Sequence, residues 1–177
     1  MKPIILYIAT SLDGYIARKD GGVDWLPEGE KGMDYGYYAF YDSIDTVLMG
    51  NKTYQQLLGF GVAYPYKGKE GFVFTRNKDF TNDENVSYIQ EDVVEFTRKL
   101  RQGDGKGIWL IGGGEIIKIF LEEGLVDELI VFEMPILLGN GIPLFPESEK
   151  EIKLELVNSE TYPDGVVELR YKPKTIN

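Results

Sequence analysis

The chain has 177 residues, a formal net charge of −10, and neither cysteine nor histidine. The length suits one domain, residues 1–177, with room for a hydrophobic core. The missing residue types exclude disulfides, thiol nucleophiles, Cys/His zinc sites and histidine-dependent triads, and we expect no metal site. The acidic balance argues against nucleic-acid and membrane partners. No signal-peptide pattern or bilayer-length apolar run is found, which favours a cytoplasmic location.

The chain begins with a predicted central strand and continues into a glycine-rich loop. Residues 3–10 are apolar on both faces, as in a strand that is covered from both sides. Residues 18–32 contain glycines, a proline and many charges, with Trp25 and Leu26 as apolar anchors. Loops of this length in compact domains are usually functional, which predicts a mobile loop over a site. The alternative is a plain surface loop with one buried tryptophan.

The next segment, residues 34–43, is predicted to be an aromatic-rich helix. Asp34 can cap its start. Tyr37, Tyr38 and Tyr41 share one helical face. Such a stripe either packs into the core or, beside the glycine-rich loop, contributes to a pocket for a flat ring.

The rest of the chain alternates apolar strands with helices and ends in a predicted hairpin. This order indicates a three-layer α/β/α fold with four helices and a mostly parallel sheet of about eight strands, closed by an antiparallel C-terminal hairpin. Val157 and Asn158 break the alternation of the first hairpin strand, so a bulge or a strand end is expected there. Strands are predicted at 45–50, 71–76, 86–90, 107–111, 127–134, 152–156 and 166–171, and helices at 51–58, 92–102 and from the triple glycine to Gly124.

Three consecutive glycines, Gly112 to Gly114, separate the strand at 107–111 from a helix with an apolar face. Glycines let another group approach the backbone closely, and the first N–H groups of a helix lack partners within the helix. The stretch therefore suits a diphosphate. The alternative is a tight turn without a ligand.

The carboxyl ends of four predicted strands repeat one chemical theme of small residues, hydroxyl groups and single cations. Ligands of open α/β sheets gather at this edge. Such a set suits an anionic ligand with several phosphates, although Lys52 and Arg76, taken singly, are also compatible with solvated charges. The residues at these ends are Ala9-Thr10, Gly50 to Thr53, Thr75-Arg76 and Gly112 to Gly114.

Six motifs in order resemble the dihydrofolate reductase superfamily, and within it the branch related to the reductase domain of the riboflavin-biosynthesis deaminase-reductase. The resemblance spans nearly the whole chain. The motifs are Ala-Thr-Ser-Leu-Asp-Gly-Tyr-Ile-Ala (9–17), Asp-Trp-Leu (24–26), Val-Leu-Met-Gly-Asn-Lys-Thr-Tyr (47–54), Phe-Thr-Arg (74–76), Ile-Trp-Leu-Ile-Gly-Gly-Gly-Glu (108–115) and Pro-Ile-Leu-Leu-Gly-Asn-Gly-Ile-Pro-Leu-Phe (135–145).

The resemblance implies that the cofactor is NADPH, with a cis peptide between Gly112 and Gly113. Thr75 and Arg76 would receive the 2′-phosphate, while the family's usual arginine after Met-Gly is replaced here by Asn51. Residues 9, 16 and 17 would border the nicotinamide, Lys52 and Thr53 would meet a phosphate, and residues 112–116 would wrap the diphosphate and the nicotinamide side. The implied cofactor-binding residues are Ala9, Ile16, Ala17, Gly50, Lys52, Thr53, Thr75, Arg76, Ile111, Gly112, Gly113, Gly114, Glu115 and Ile116.

Two carboxylates are the catalytic candidates, because the folate enzymes place an acid at the start of their first long helix. Asp34 occupies that position, with a helix cap as its alternative role. Glu133 is expected to face the same cleft from the sixth strand, with an exposed strand residue as its alternative. Without histidine, one of these two or an ordered water would protonate the substrate. Four aromatic residues are expected to line the substrate side: Trp25, Tyr35, Tyr38 and Tyr41.

The resemblance favours an NADPH-dependent reductase of the 5-amino-6-(5-phosphoribosylamino)uracil reductase type. The chain has no Cys or His with which to build the zinc site of the deaminase half. Dihydrofolate or dihydropteridine reduction is the second hypothesis. A non-catalytic NADP-binding protein is the third, and Asn51 favours it. A homodimer is expected through the apolar loop at 135–146 and the terminal hairpin.

Overall fold

A computed structural model describes residues 1–27 and 33–174. Across these ranges the chain forms ten strands and four helices. None of the described helices has the length and apolar character that a membrane crossing requires. In chain order the elements are β1 (Ile4–Ser11), β2 (Tyr15–Ala17), α1 (Tyr37–Ser43), β3 (Ile44–Gly50), α2 (Asn51–Gly59), β4 (Glu70–Phe74), β5 (Ser87–Ile89), α3 (Val93–Leu100), β6 (Gly107–Gly112), α4 (Gly114–Glu122), β7 (Glu128–Met134), β8 (Ile142–Pro143), β9 (Leu154–Thr161) and β10 (Val167–Pro173).

Eight strands form the central sheet in the order β5-β4-β3-β6-β1-β7-β10-β9. The first six are parallel to one another, and β10 and β9 pair antiparallel at one edge. This confirms the predicted mostly parallel sheet with an antiparallel C-terminal hairpin. The expected bulge is also confirmed, because the register shifts so that Val157 has no partner between Leu156 and Asn158.

Two apolar clusters cover the two faces of the sheet and complete the three layers. On one face, Ile117 and Phe120 of α4 and Phe96 of α3 pack with the first cluster. On the other face, Phe40 of α1 and Tyr54 of α2 belong to the second cluster. Successive strand residues point to opposite faces, which explains why the central strands read as unbroken apolar runs.

Several boundaries differ from those predicted. α1 begins at Tyr37, not at Asp34. The first hairpin strand runs over 154–161 instead of 152–156, and all of its residues are exposed. Strands β2 and β8, absent from the prediction, form a separate antiparallel pair. They have three and two residues, which is too short for a period to show in sequence.

Strands β1 and β6 separate toward their carboxyl ends. Their pairing ends at Leu6 and Leu110, whereas β1 continues to pair with β7 as far as Ser11. An opening therefore lies between the two strand ends. The chain leaves the neighbouring β3 and β6 into helices of opposite layers, α2 and α4, and ligands of open α/β sheets bind at such places.

Candidate functional site

The triple glycine lies against the start of α2. A Cβ on Gly113 would be 3.2 Å from the Thr53 hydroxyl, and one on Gly50 would be 3.1 Å from Cγ1 of Ile116. The Gly112–Gly113 peptide is cis, as the resemblance implies. The structure thus brings Gly50, Thr53, Gly113 and Ile116 together, as expected for a shared binding surface.

Two helices begin at this surface without a capping side chain. The N-cap residues are Gly50 for α2 and Gly113 for α4, and neither helix start receives a side-chain hydrogen bond. By contrast, Asp92 caps α3 by accepting a hydrogen bond from the Glu95 N–H at 2.8 Å. The first N–H groups of α2 and α4 therefore remain available to an acceptor. The positive ends of both helix dipoles favour an anion there.

The predicted cations lie along the same edge. Lys52, in the first turn of α2, and Arg76, two residues after β4, are exposed, and neither forms an ion pair within 1–27 and 33–174. Arg18, Arg98, Arg101 and Arg170 each pair with a carboxylate, so within the described residues Arg76 is the arginine that has no carboxylate partner. The Thr75 hydroxyl accepts a hydrogen bond from the Asn77 N–H at 3.1 Å.

The small β2–β8 pair places the predicted nicotinamide neighbours beside the glycines. Ala17 in β2 pairs with Ile142 in β8. A Cβ on Gly114 would lie 2.8 Å from the carbonyl oxygen of Pro143 in β8. Ile16 and Ala17 are thereby brought to the α4 side of the opening. Glu115 is exposed in the first turn of α4, so its backbone N–H suits an anion but its carboxylate does not.

Asp13 ties the turn after β1 to the loop before β8. Its carboxylate accepts hydrogen bonds from the Ser11 hydroxyl at 2.6 Å, the Leu138 N–H at 3.1 Å and the Gly139 N–H at 2.7 Å. The hydrogen bond from Ser11, followed by those from the loop, lowers the pKa of this carboxyl. We had not singled out Asp13, although its place in the Ser-Leu-Asp-Gly turn is typical of such a loop anchor.

A cavity of about 810 Å³ lies beside the end of β1. Five of its eleven lining residues are aromatic, and Ala9, the predicted neighbour of the nicotinamide, is also among them. Asp34 also lines it, and its carboxylate accepts hydrogen bonds from the Gly36 and Tyr38 N–H groups at 3.2 and 3.4 Å. Asp34 is thus both a local cap and a wall of the cavity. The lining residues are Tyr7, Ala9, Leu26, Pro27, Met33, Asp34, Tyr35, Tyr37, Tyr38, Phe132 and Met134.

A network of tyrosines and carboxylates supports one wall of the cavity. The Tyr7 hydroxyl donates to the Tyr35 carbonyl at 3.3 Å, and the Tyr35 hydroxyl donates to Asp164 in the hairpin turn. The Tyr162 hydroxyl donates to Glu168 at 3.0 Å. Burial, reinforced by the negative charge of Glu168, raises the pKa of Tyr7 above its ordinary value.

Three predicted site residues do not fit their expected places. Glu133 lies between Phe132 and Met134, which both line the cavity. Because strand residues alternate, its side chain points to the opposite face, and the expectation of a shared cleft is wrong. The Tyr41 ring lies under Lys69, at 4.1 Å from its Nζ, and its hydroxyl donates to the Lys67 carbonyl, away from the cavity.

Trp25 packs against the second apolar cluster and is not among the lining residues. Its neighbours Leu26 and Pro27 take that place. Arg18, at the start of this loop, pairs with Asp24 at 2.7 Å, and Gln56 of α2 donates to the Gly21 carbonyl. Residues 28–32 of the predicted mobile loop lie outside the described residues.

Sequence reasoning missed seven lining residues, which lie on the central strands, on α1 and in the loop before it: Tyr7, Phe132, Met134, Tyr37, Leu26, Pro27 and Met33. Tyr7 and Phe132 lie in runs that read as core, and the faces of neighbouring strands can be matched only when their register is known. Tyr37 had been assigned to the aromatic stripe but not to the substrate side.

Comparison with known proteins identifies the family. Residues 67–168 match the model of the RibD C-terminal domain. The chain is 43% identical over 162 residues to the Bacillus subtilis (strain 168) protein YwjB, a match that covers 92% of this chain and 93% of YwjB. The chain belongs to the RibD C-terminal domain family, a reductase-related branch of the dihydrofolate-reductase-like proteins.

Solved structures agree with this assignment. A putative riboflavin biosynthesis protein from Shewanella sp. PV-4 superposes with a TM-score of 0.86 at 34% identity, covering 98% of this chain and 99% of that chain. A Thermotoga maritima deaminase/reductase superposes with a TM-score of 0.73 at 19% identity, covering 98% of this chain and 57% of that chain. The second likeness concerns the fold alone.

Proposed function

We propose that this protein is an NADPH-dependent reductase whose substrate occupies the aromatic cavity beside β1. One observation carries the proposal: two helix N-termini without caps, from opposite layers, meet at Gly50 and Gly113. Membership in a reductase-related family supports it.

The residues present fit a dinucleotide. The first N–H groups of α2 and α4 would hold its diphosphate, where a Cβ on Gly113 would crowd Thr53. Arg76, which has no carboxylate partner among the described residues, would receive the 2′-phosphate. Ala9, shared by the cavity wall and the predicted nicotinamide surface, would bring the two compartments into contact. NADPH supplies a hydride when it is bound, and the protein supplies position and exclusion of water.

The relatives indicate which substrates to test first. The Thermotoga protein is described as a 5-amino-6-(5-phosphoribosylamino)uracil reductase, and reduction of an aminopyrimidine of that type is our first candidate reaction. Dihydropteridine reduction is the second, and the position of Asp34 in the cavity favours it. With Glu133 on the other face, Asp34 or an ordered water remains as the proton donor.

Cofactor titration of the Arg76→Gln variant tests the cofactor site. We expect about tenfold weaker binding of NADPH and little change for NADH, which lacks the 2′-phosphate. Arg98→Gln is the matched control, because Arg98 is exposed but pairs with Glu123, the residue that follows α4. Fluorescence titration measures all four affinities. No affinity of the unaltered protein for NADPH would exclude both a reductase and a nucleotide-binding protein.

Turnover separates the reductase from the non-catalytic alternative. We expect oxidation of bound NADPH, followed by its absorbance, when a suitable pyrimidine or pteridine is supplied. Tight NADPH binding without oxidation across both substrate classes would leave only the nucleotide-binding protein.

A further inference from the structure

The described walls of the cavity carry one charge, and that charge is negative. Among the described residues that line the cavity, Asp34 is the only charged one, and none of them is a Lys or an Arg. The other walls include five aromatic rings, each of which packs against at least one other. Tyr7 lies 4.8 Å from Phe132 between ring centroids, and Tyr35 lies 6.2 Å from Phe132. Rings arranged in this way suit a flat partner and favour positive charge over negative.

Further carboxylates lie behind the same wall. Glu168 is 1% exposed and pairs in register with Phe132, so its side chain lies on the cavity face of the sheet. Asp164 accepts a hydrogen bond from the Tyr35 hydroxyl. The Arg170 guanidinium pairs with Glu168. Among the described residues around the cavity, Asp34, Glu168 and Asp164 outnumber the one guanidinium of Arg170, so together these groups carry a net negative charge.

Nearby lysines do not reverse this balance. Lys69 donates to the Tyr41 and Ile44 carbonyls at 2.7 Å, on the side of α1 away from the cavity. Lys52 and Arg76 lie at the edge assigned to the cofactor phosphates. A second phosphate, carried by the substrate, would therefore face carboxylates and aromatic rings without a matched cation, which is unfavourable where water is partly excluded.

We propose that the cavity takes an unphosphorylated flat ring, neutral or cationic, and discriminates against phosphoribosyl derivatives of the same ring. This inference rests on the proposed function, since it concerns the hydride acceptor of that reductase. It also places the reaction outside the phosphorylated substrate named for the Thermotoga relative. Such a substrate would be supplied by a reaction that removes the phosphate from the sugar, or by one that forms the ring without a phosphorylated sugar.

A matched pair of ligands that differ only in the phosphate tests the inference. The pair is 5-amino-6-(5-phosphoribosylamino)uracil and its dephosphorylated riboside. We expect calorimetry at low ionic strength to show at least about tenfold tighter binding of the riboside, with a smaller ratio as salt rises. The measurement is made on the full chain, both alone and saturated with NADP⁺.

Charge variants test whether the cavity causes the preference. Asp34→Asn should reduce the riboside-to-phosphate ratio by about two- to fivefold, as expected for one partly screened charge. Asp42→Asn is the control, because Asp42 lies on α1, a short distance along the chain from Asp34, but does not line the cavity. Lys31, outside the described residues, is tested directly, and Lys31→Gln should leave the ratio unchanged.

The outcomes separate the two proposals. Equal or tighter binding of the phosphorylated compound, or binding of neither compound, would overturn the selectivity while leaving NADPH binding intact. If the unaltered protein does not bind NADPH but still prefers the riboside, the proposed function is overturned and the selectivity stands.

Discussion

At the scale of single residues, Asn51 is the most informative departure from the family pattern. It occupies the first position of α2, and its side-chain oxygen accepts a hydrogen bond from Gln55 at 3.3 Å. A neutral amide there would leave the proposed phosphate surface with Lys52, Thr53 and the backbone N–H groups. Under the proposed function, Arg76, which is free of a carboxylate partner in the described ranges, would supply the missing cation.

Restoring the family arginine should strengthen cofactor binding. We expect Asn51→Arg to bind NADPH about three- to tenfold more tightly, because an exposed cation at a helix start adds a charge-assisted hydrogen bond to a phosphate. Titration at two salt concentrations would show the gain and its screening. Asn51→Gln keeps the site neutral and should change nothing. An unaltered affinity in Asn51→Arg would mean that the phosphate lies elsewhere.

The residue scale also shows where sequence reasoning stops. Glycine runs, strand ends and motif order singled out Gly112 to Gly114, Thr53, Arg76 and Asp34. The structure places Gly113 against Thr53 and Asp34 in the cavity wall, while the roles of all these residues stay predictions. Glu133 and Tyr41 were misplaced. Whether a side chain faces a cleft depends on strand register and on the rotation of a helix, and both are decided by packing between distant segments.

At the scale of elements, the contact between α4 and β8 holds the edge of the site in place. β8 has two residues and pairs with β2, so its own hydrogen bonds are few. A Cβ on Gly114 would lie only 2.8 Å from the carbonyl oxygen of Pro143 in β8. The third glycine of the triple is therefore required by this crossing, independently of any cofactor.

Substitution of that glycine should destabilise the fold. We expect Gly114→Ala to lower the free energy of unfolding by about 1–3 kcal/mol, because a backbone carbonyl cannot move aside cheaply. Gly59→Ala is the matched control at the end of α2, where an added Cβ meets nothing within 4 Å. It should stabilise the protein by about 0.5 kcal/mol. Urea unfolding of both variants checks this, and equal stabilities would contradict the close approach.

Most large elements could be predicted, while the small ones could not. Long apolar runs and helical periods located the six parallel strands, the helices and the hairpin with its bulge. The pair of β2 and β8 is stabilised by contacts between segments more than 120 residues apart, and no local pattern reports such a pairing. The start of α1 was misplaced because Asp34 belongs to the turn that precedes the helix and is not the first residue of the helix. Its carboxylate accepts hydrogen bonds from Gly36 and Tyr38 in that turn and at the helix start.

At the scale of the whole molecule, the outer hairpin strand is the largest uncovered element. Every residue of β9 is exposed, and Leu156 and Val157 are each 52% exposed. By contrast, the loop at 135–146 is partly used internally, because Leu144 is buried while Leu137 is exposed. An exposed apolar edge strand is a template for pairing with another chain, so the homodimer stays our prediction, with β9 at its centre.

Sedimentation velocity tests this assembly. We expect a dimer for the unaltered protein and a shift toward monomer for Leu156→Asp, since a charge in an apolar interface is costly. Leu58→Asp, on α2 and 49% exposed, is the control and should remain dimeric. A monomeric unaltered protein would exclude the prediction, and a dimer insensitive to Leu156→Asp would move the interface away from β9.

The meeting of α2 and α4 has a consequence for the lifetime of the protein in a cell. These helices pack on opposite faces of the sheet. A dinucleotide bound between their N-termini would therefore contact both helical layers and stabilise both of them. Ligand binding to the native state alone adds about 2.7 kcal/mol to the free energy of unfolding at a hundredfold excess over Kd. Differences of that size change the abundance of marginally stable proteins several-fold. The amount of this protein would then follow the supply of its cofactor, and a depleted pool would mark the empty chains for degradation.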